Sequence, residues 1–306
     1  MAEISQSTAA TAASTAMETE AQDKHAAAIA MYKKRNKLGL FFWIPLVWLL
    51  IVIIAAVGAP FWGLPAPDEI DWAALQAPPS EAHPLGTDAL GRDLLSRIIW
   101  GARVSLTVGF AAPAIGVGAG LILGMAAGYY RGWVDEIVGI AIDSWLAIPG
   151  LVVLLIFAVI FGGSLFMVCF SLGLLFIPTA ARITRAATLN YAGREFVLAA
   201  RAIGASDMRI LTKEVFPNII WPLIAFILID IPIAIVVEGS LSFLGLSVKA
   251  PTPSWGGIIA EGREHLSTSP WISLYPTLIM FLTVLSFNLV GDAIRRRLAD
   301  VREGAI

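Results

Sequence analysis

The chain has 306 residues, of which 58% are hydrophobic and only 14% charged, with a formal net charge of −2. A mean hydropathy of +0.78 is too high for a water-soluble domain and points to a chain buried in a bilayer. The single cysteine, Cys169, excludes a disulfide within the chain and a cysteine metal site. Neither HExxH nor the phosphate loop GxxxxGKS/T occurs, which argues against zinc-hydrolase chemistry and against nucleotide hydrolysis by this chain. His25, His83 and His265 fall in the tail or in loops, away from any candidate nucleophile.

Residues 1–37 open with a run rich in Ala, Ser and Thr that lacks a basic n-region and an apolar h-region. They read as a flexible cytoplasmic tail rather than a cleaved signal, and Ala26–Lys37 can add a short helix on the membrane surface. A bilayer core of about 30 Å needs roughly 20 apolar residues per helix. The uncharged stretches Leu38–Gly58, Val104–Tyr130 and Pro270–Val290 meet that need, and Val215–Val248 does so with only Asp230 and Glu238 inside it. Ser144–Ala181 would be about 57 Å long as one helix, so Gly162-Gly163-Ser164 is expected to divide it into a hairpin of two spans. The expectation is an all-α integral membrane protein with six transmembrane helices. The first covers 38–58, an extracytoplasmic segment covers 59–101, a core of five helices covers 102–295, and a short cytoplasmic tail covers 296–306. Gly116, Gly120 and Gly124 suit close helix packing in the second span.

Lys and Arg set the orientation. They cluster before the first span (Lys33, Lys34, Arg35, Lys37), after the fourth (Arg182, Arg185, Arg194, Arg201, Arg209, Lys213) and after the last (Arg295, Arg296, Arg297, Arg302). In a six-span chain these three regions share one side, so both termini and the loop 190–216 are expected in the cytoplasm. The acidic segment 59–98 (Asp68, Glu69, Asp71, Glu81, Asp88, Asp93) belongs outside, and Arg103 can snorkel to the outer interface. Asp143 and Arg182 are expected near cytoplasmic span ends.

The loop itself has structure written into it. Phe196–Ile203 suits a short helix, Gly204 permits a tight turn, and Ser206 or Asp207 can cap a second helix ending near Lys213. Pro217 is then expected to start the fifth span, where a missing N–H costs little. Ala199 and Ala200 let another backbone come close, and Phe196 and Met208 offer apolar anchors. The bland alternative is a solvated loop whose positive charge needs only the positive-inside rule.

The spacing of Ala199-Ala200, Gly204 and, nine residues on, Glu214-Val215-Phe216-Pro217 resembles the cytoplasmic EAA loop of ATP-binding-cassette importer permeases. Leu198 stands where that motif has Glu, and Glu214 where it has Ile. His83-Pro84-Leu85-Gly86-Thr87-Asp88 with Gly91-Arg92-Asp93, Ser96-Arg97 and Gly101-Ala102-Arg103-Val104-Ser105-Leu106 is similar to the segment before the second span in the dipeptide/oligopeptide and nickel group, C-type subunit. Glu238–Gly245, Pro251–Gly256 and Phe287–Asp292 resemble further stretches of that group. The resemblance implies the importer permease (MetI-like) fold in a prokaryotic cytoplasmic membrane, with half of a pathway for di- or oligopeptides worked by alternating access. It also implies a homologous permease subunit as heterodimer partner, two ATPase subunits that bind ATP and Mg, and an extracytoplasmic substrate-binding protein. Nucleic acid is not among the implied partners, and no cofactor belongs to this chain. The coupling residues it implies are Ala199, Ala200, Arg201, Gly204, Ala205, Asp207, Arg209 and Pro217. A nickel or other small-solute permease of the same group, or an autonomous secondary transporter, are the alternatives.

Ionisable residues inside a span are functional candidates, because an unpaired charge there costs at least about 2.5–3.5 kcal/mol. Asp230 lies mid-span beside Pro232, and Glu238 follows it. Asp230 is expected to be held by another helix or by the partner permease; contact with a peptide ammonium or a cation on the pore wall is the second reading.

Overall fold

The computed structural model describes residues 39–303, with side chains through Arg297. The expected tail over 1–37, with its surface helix, lies outside the described residues. Contacts divide the chain into Met1–Trp43 and Ile44–Ile306. In the first unit the rings of Phe42 and Trp43 meet edge-on at 5.6 Å; the packing below is that of the second.

The described residues form helices joined by turns, with no strand beyond one isolated bridge, Thr87 to Asp93. In chain order the helices are α1 (Leu40–Gly58), α2 (Leu94–Tyr130), α3 (Gly132–Leu146), α4 (Gly150–Phe161), α5 (Leu165–Ala192), α6 (Glu195–Ala202), α7 (Asp207–Phe243), α8 (Trp255–Gly262) and α9 (Trp271–Glu303). Five stretches are long and apolar enough to cross a membrane: Leu40–Phe61, α2, α5, α7 and Trp271–Arg297. A sixth span exists if α3 and α4, bent by 81° at their junction, count as one.

Three boundaries differ from the sequence expectation. The hairpin does divide at Gly162–Ser164, where Gly162 takes φ +74° and Ser164 caps α5 by accepting from Met167 N–H at 3.2 Å. Its first limb, however, begins at Gly132 and breaks at Ala147–Pro149, because Pro149 can neither donate an N–H nor leave Ile148 helical. Second, the helix after Ser206 does not end near Lys213. It passes through a π turn, Ile210–Val215, in which Phe216 N–H reaches back to Leu211 O, and continues as α7. Pro217 stands in the first turn of the regular α-helical stretch Phe216–Phe243, as expected, but the π turn joins that stretch to the helix before it. Third, the C-terminal residues 296–303 continue α9 as helix.

Glycine decides how α2 meets α5. A Cβ at Gly116, Gly120, Gly124 or Gly128 would lie between 2.4 and 2.8 Å from α5, at Phe176, Ala180, Ala181 and Arg185 respectively. Positions advance together along both helices, so the two run parallel with backbones in contact, as small residues at every fourth position allow. Gly118, two residues from this stripe, has nothing within 4 Å. Gly120→Ala is expected to lower stability by about 1–3 kcal/mol through forced separation of the helices. Gly118→Ala, in open space, should leave the melting temperature in detergent unchanged or raise it. Equal melting of the two variants would contradict this packing.

At the opposite end from the α5–α7 loop, residues 62–93 fold back over the start of α2 around buried charge. Arg97 is 1% exposed and Arg92 8%. Both guanidiniums converge on Glu261 Oε2 of α8, at 2.8 and 2.7 Å, and on Asp88 Oδ2, at 3.3 and 2.6 Å. Asp88 Oδ1 accepts from the N–H groups of Leu90 and Arg92, and Asp93 caps α2 by accepting from Ser96 N–H at 2.8 Å. Beneath them Trp255 is fully buried and donates its indole N–H to Ile98 O at 3.0 Å. The resemblance-bearing residues between His83 and Arg97 thus share one job, which is to seat this segment on α2 and α8.

His83 adds a pH dependence to that seat. Its Nδ1 lies 2.9 Å from Asp93 and its Nε2 3.4 Å from Asp71. The hydrogen bond to Asp93 raises its pKa above the ordinary 6.5, against a smaller opposing effect of burial. A raised folded pKa means that the stabilisation is fully present below the unfolded value and is lost as pH rises through the folded one. The protein should therefore melt higher near pH 6 than near pH 8. His83→Gln should shrink that difference, and an unchanged difference would show that His83 does not supply it.

Candidate functional site: the α5–α7 loop

The segment between α5 and α7 is a compact helical protrusion. α6 ends in a left-handed residue, Gly204, at φ +84°. Ala205 N–H bonds to Ala200 O and Gly204 N–H to Arg201 O, both at 3.0 Å, which is the pair of reversed bonds of a Schellman motif. Ala200 and Ala205, the positions that such a motif brings into apolar contact, both pack on the cluster of Tyr129, Val197, Ile210, Leu211, Val215 and Ile219. The spacing from Ala200 to Gly204 is thus the spacing of a helix stop, and it needs glycine because an L side chain at that φ is strained.

Arg201 and Asp207 stand on either side of this turn and meet on one hydroxyl. Arg201 Nη2 donates to Tyr129 Oη at 3.0 Å with its guanidinium over the ring at 5.5 Å, and Tyr129 Oη donates to Asp207 Oδ1 at 2.6 Å. The bond to Tyr129 holds the Arg201 pKa above its ordinary value. Tyr129 is the next-to-last residue of α2, so the protrusion is pinned to the end of a long helix that reaches the opposite end of the fold. That tyrosine was missed by sequence reasoning, which had only its place at the end of an apolar run.

The outer surface of the protrusion is apolar. Ile203 is 84% exposed and Met208 68%, with Leu198 and Phe196 exposed beside them. Ala199 and Arg209 are exposed too, as is Pro217 at the base of the continuous α7. A Cβ added at Gly204 would meet nothing within 4 Å.

The two intramembrane carboxylates lie elsewhere and apart in their chemistry. Glu238 is fully buried and accepts from the hydroxyls of Ser242 (2.8 Å), Ser247 (2.7 Å) and Ser105 (3.4 Å), while Ser105 Oγ accepts from Trp255 N–H at 3.2 Å. Glu238 thereby joins α7 to α2, to the loop after α7 and to α8. That loop begins with a second Schellman pair, Leu246 N–H to Leu241 O and Gly245 N–H to Ser242 O. Asp230 is 3% exposed, covered by its own chain, and its Oδ2 has no hydrogen-bond partner among the described residues. Among the described residues no group of three or more His, Cys, Asp and Glu is arranged to hold a metal ion.

Comparison with known proteins accords with this arrangement. Residues 120–300 match the family model described as binding-protein-dependent transport system inner membrane component. The chain is 36% identical over 247 residues to the glutathione transport system permease protein GsiD of Pectobacterium atrosepticum, covering 81% of this chain and 82% of the relative. It is 37% identical over 254 residues to a putative peptide transport system permease protein of Brucella suis, covering 83% and 86%. Two solved structures of the MetNI methionine ABC transporter in inward-facing conformations share the fold. Their TM-scores are 0.51 and 0.52, at 20% and 19% identity, and each match covers 67% of this chain and at least 95% of the other. The chain belongs to the binding-protein-dependent transport system inner membrane component family, as a multi-pass permease.

Proposed function

We propose that this chain forms half of the translocation pathway of an ATP-driven importer for di- or oligopeptides, operating by alternating access. The observation that carries the reading is the α5–α7 protrusion. Its outer face bears Phe196, Leu198, Ile203 and Met208, and its base is bracketed to α2 through Arg201, Tyr129 and Asp207. An apolar knob pinned to a long helix suits the receipt of a push from outside the membrane and its transfer along that helix. The occupant of the knob is an ATPase subunit, so ATP and Mg belong to partner chains and no covalent chemistry occurs in this one. A second, homologous permease completes the pathway, and an extracytoplasmic binding protein delivers substrate at the end that carries Trp255 and residues 62–93. The positive clusters in the sequence support a cytoplasmic side for both termini and the protrusion. The names of the relatives, glutathione and peptide permeases, favour peptides over nickel.

The experiment is uptake by proteoliposomes that hold this chain with its partner permease, ATPase subunits and binding protein. Accumulation of trialanine or S-methylglutathione that needs ATP, and stops when the ATPase subunits cannot hydrolyse it, is the expected result. Accumulation by this chain alone, without ATPase subunits, would establish a secondary transporter instead.

A further inference from the structure

The protrusion is joined covalently to the membrane helices at two places, and neither joint is stiff. On one side the chain turns at Gly193 between α5 and α6, where a Cβ would meet nothing within 4 Å. On the other side it enters α7 through the π turn Ile210–Val215, with Pro217 just beyond. A widened turn beside a residue that has no N–H is where helices bend. Val197, Ile210, Leu211 and Val215 share a buried cluster with Tyr129 and keep the protrusion close to α2. Apolar contact is non-directional, however, and does not fix how the protrusion is turned.

The directional link is one hydroxyl. Tyr129 Oη accepts from Arg201 Nη2 at 3.0 Å and donates to Asp207 Oδ1 at 2.6 Å, so it uses both roles open to a phenol. Arg201 precedes the turn at Gly204 and Asp207 follows it, and both are exposed. Each bond has a charged partner, which makes it the stronger kind of hydrogen bond. Tyr129 is 8% exposed and follows Gly128, where a Cβ would lie 2.8 Å from Arg185 O of α5. The hydroxyl therefore stands on the part of α2 whose backbone rests against α5. At its other end the same helix is seated on α8 through Arg97 and Glu261.

We propose that Tyr129 is a positioning residue for coupling, whose hydroxyl fixes the direction of the protrusion on the α2–α5 pair. A push from the ATPase subunit then moves that pair instead of swinging the protrusion about its two joints. The proposal rests on the importer reading above. Without the hydroxyl the apolar cluster still holds the protrusion in place, but Arg201 and Asp207 are released to solvent or to each other. Part of each ATPase stroke is then lost in the swing.

The test uses the assembled complex in proteoliposomes and reads peptide accumulated per ATP hydrolysed. The peptide is trialanine or S-methylglutathione, whichever the unmodified complex accumulates. Tyr129→Phe keeps the ring beneath Arg201 and loses only the hydroxyl. It should lower the ratio about fivefold, the effect of one lost hydrogen bond. Asp207→Ala should lower it similarly, whereas Asp207→Asn, whose amide oxygen still accepts from the phenol, should keep most of it. Tyr129→Phe combined with Asp207→Ala should be no worse than the worse of the two alone, because both act through the same bond. A residue that only held the fold would lower the melting temperature and the yield of complex, and would leave the ratio in the surviving complexes unchanged. An unchanged ratio in Tyr129→Phe overturns the proposal, and so do additive losses in the double variant. If Tyr129→Phe does not assemble, the two Asp207 variants decide, and equal ratios in them overturn it. An unmodified complex that accumulates neither peptide overturns the import reading first, and the coupling role with it.

Discussion

Gly204→Asp is expected to leave the chain inserted and assembled yet to reduce peptide uptake to background, with ATP hydrolysis no longer responding to loaded binding protein. Two effects add at this position. Gly204 sits at φ +84°, where an L residue costs about 1–2 kcal/mol, so the end of α6 and the bonds from Ala205 and Gly204 to Ala200 and Arg201 are weakened. The new carboxylate also projects into the open space beside Ile203, on the surface assigned to the ATPase subunit, where it introduces a charge that needs solvation. Gly204→Ala separates the two, since it carries the backbone strain without the charge. It should lower the melting temperature by a similar amount while keeping part of the uptake. Uptake by Gly204→Asp at the unmodified level would remove the protrusion from the coupling mechanism.

Arg97→Ala should have the largest effect on stability. Arg97 is 1% exposed and answers both Asp88 and Glu261, two carboxylates that would otherwise share Arg92 alone. Removing one member of a buried charge cluster costs about 3–5 kcal/mol because the remaining charges stay uncompensated. That is a large part of the 5–15 kcal/mol that typically holds a domain together. Residues 62–93 should lose their seat and the yield of assembled complex should fall. Glu261→Gln, at a site 39% exposed, keeps the shape and one acceptor and should cost much less. Unchanged melting and assembly in Arg97→Ala would show that this cluster does not hold the segment.

What was legible in the sequence is what is local in it. The bilayer class followed from composition, and the tight turn at Gly204 followed from a glycine between two short helical stretches, because a helix stop closes within six residues. The hairpin at Gly162–Ser164 was readable for the same reason. What escaped is non-local or needs a count of backbone bonds. Arg92 and Arg97 stood only as parts of a resembling motif, with no partner named, since Glu261 is far away in the chain. Tyr129 read as the end of a span until Arg201 and Asp207 closed on it. The break at Ala147–Pro149 was hidden because an uncharged run was measured by length, although Pro149 marks it. Pro217 does mark the first turn of the α-helix from Phe216, but the π turn that joins it to the helix before was not readable, because it depends on which backbone bonds form. Asp230 and Glu238 looked alike as intramembrane carboxylates; only packing separates the one met by three serine hydroxyls from the one with an unpartnered oxygen.

The central claim is that the protrusion at Ile203 is where an ATPase subunit sits. Ile203 is 84% exposed and packs on nothing that its loss would disturb, so a photoreactive phenylalanine analogue can replace it without altering the turn. Irradiation of the assembled complex should produce one cross-linked product containing this chain and an ATPase subunit, absent when the analogue is placed at Leu75 in the opposite end of the fold. A product containing the ATPase subunit from position 75 and none from position 203 would contradict the account.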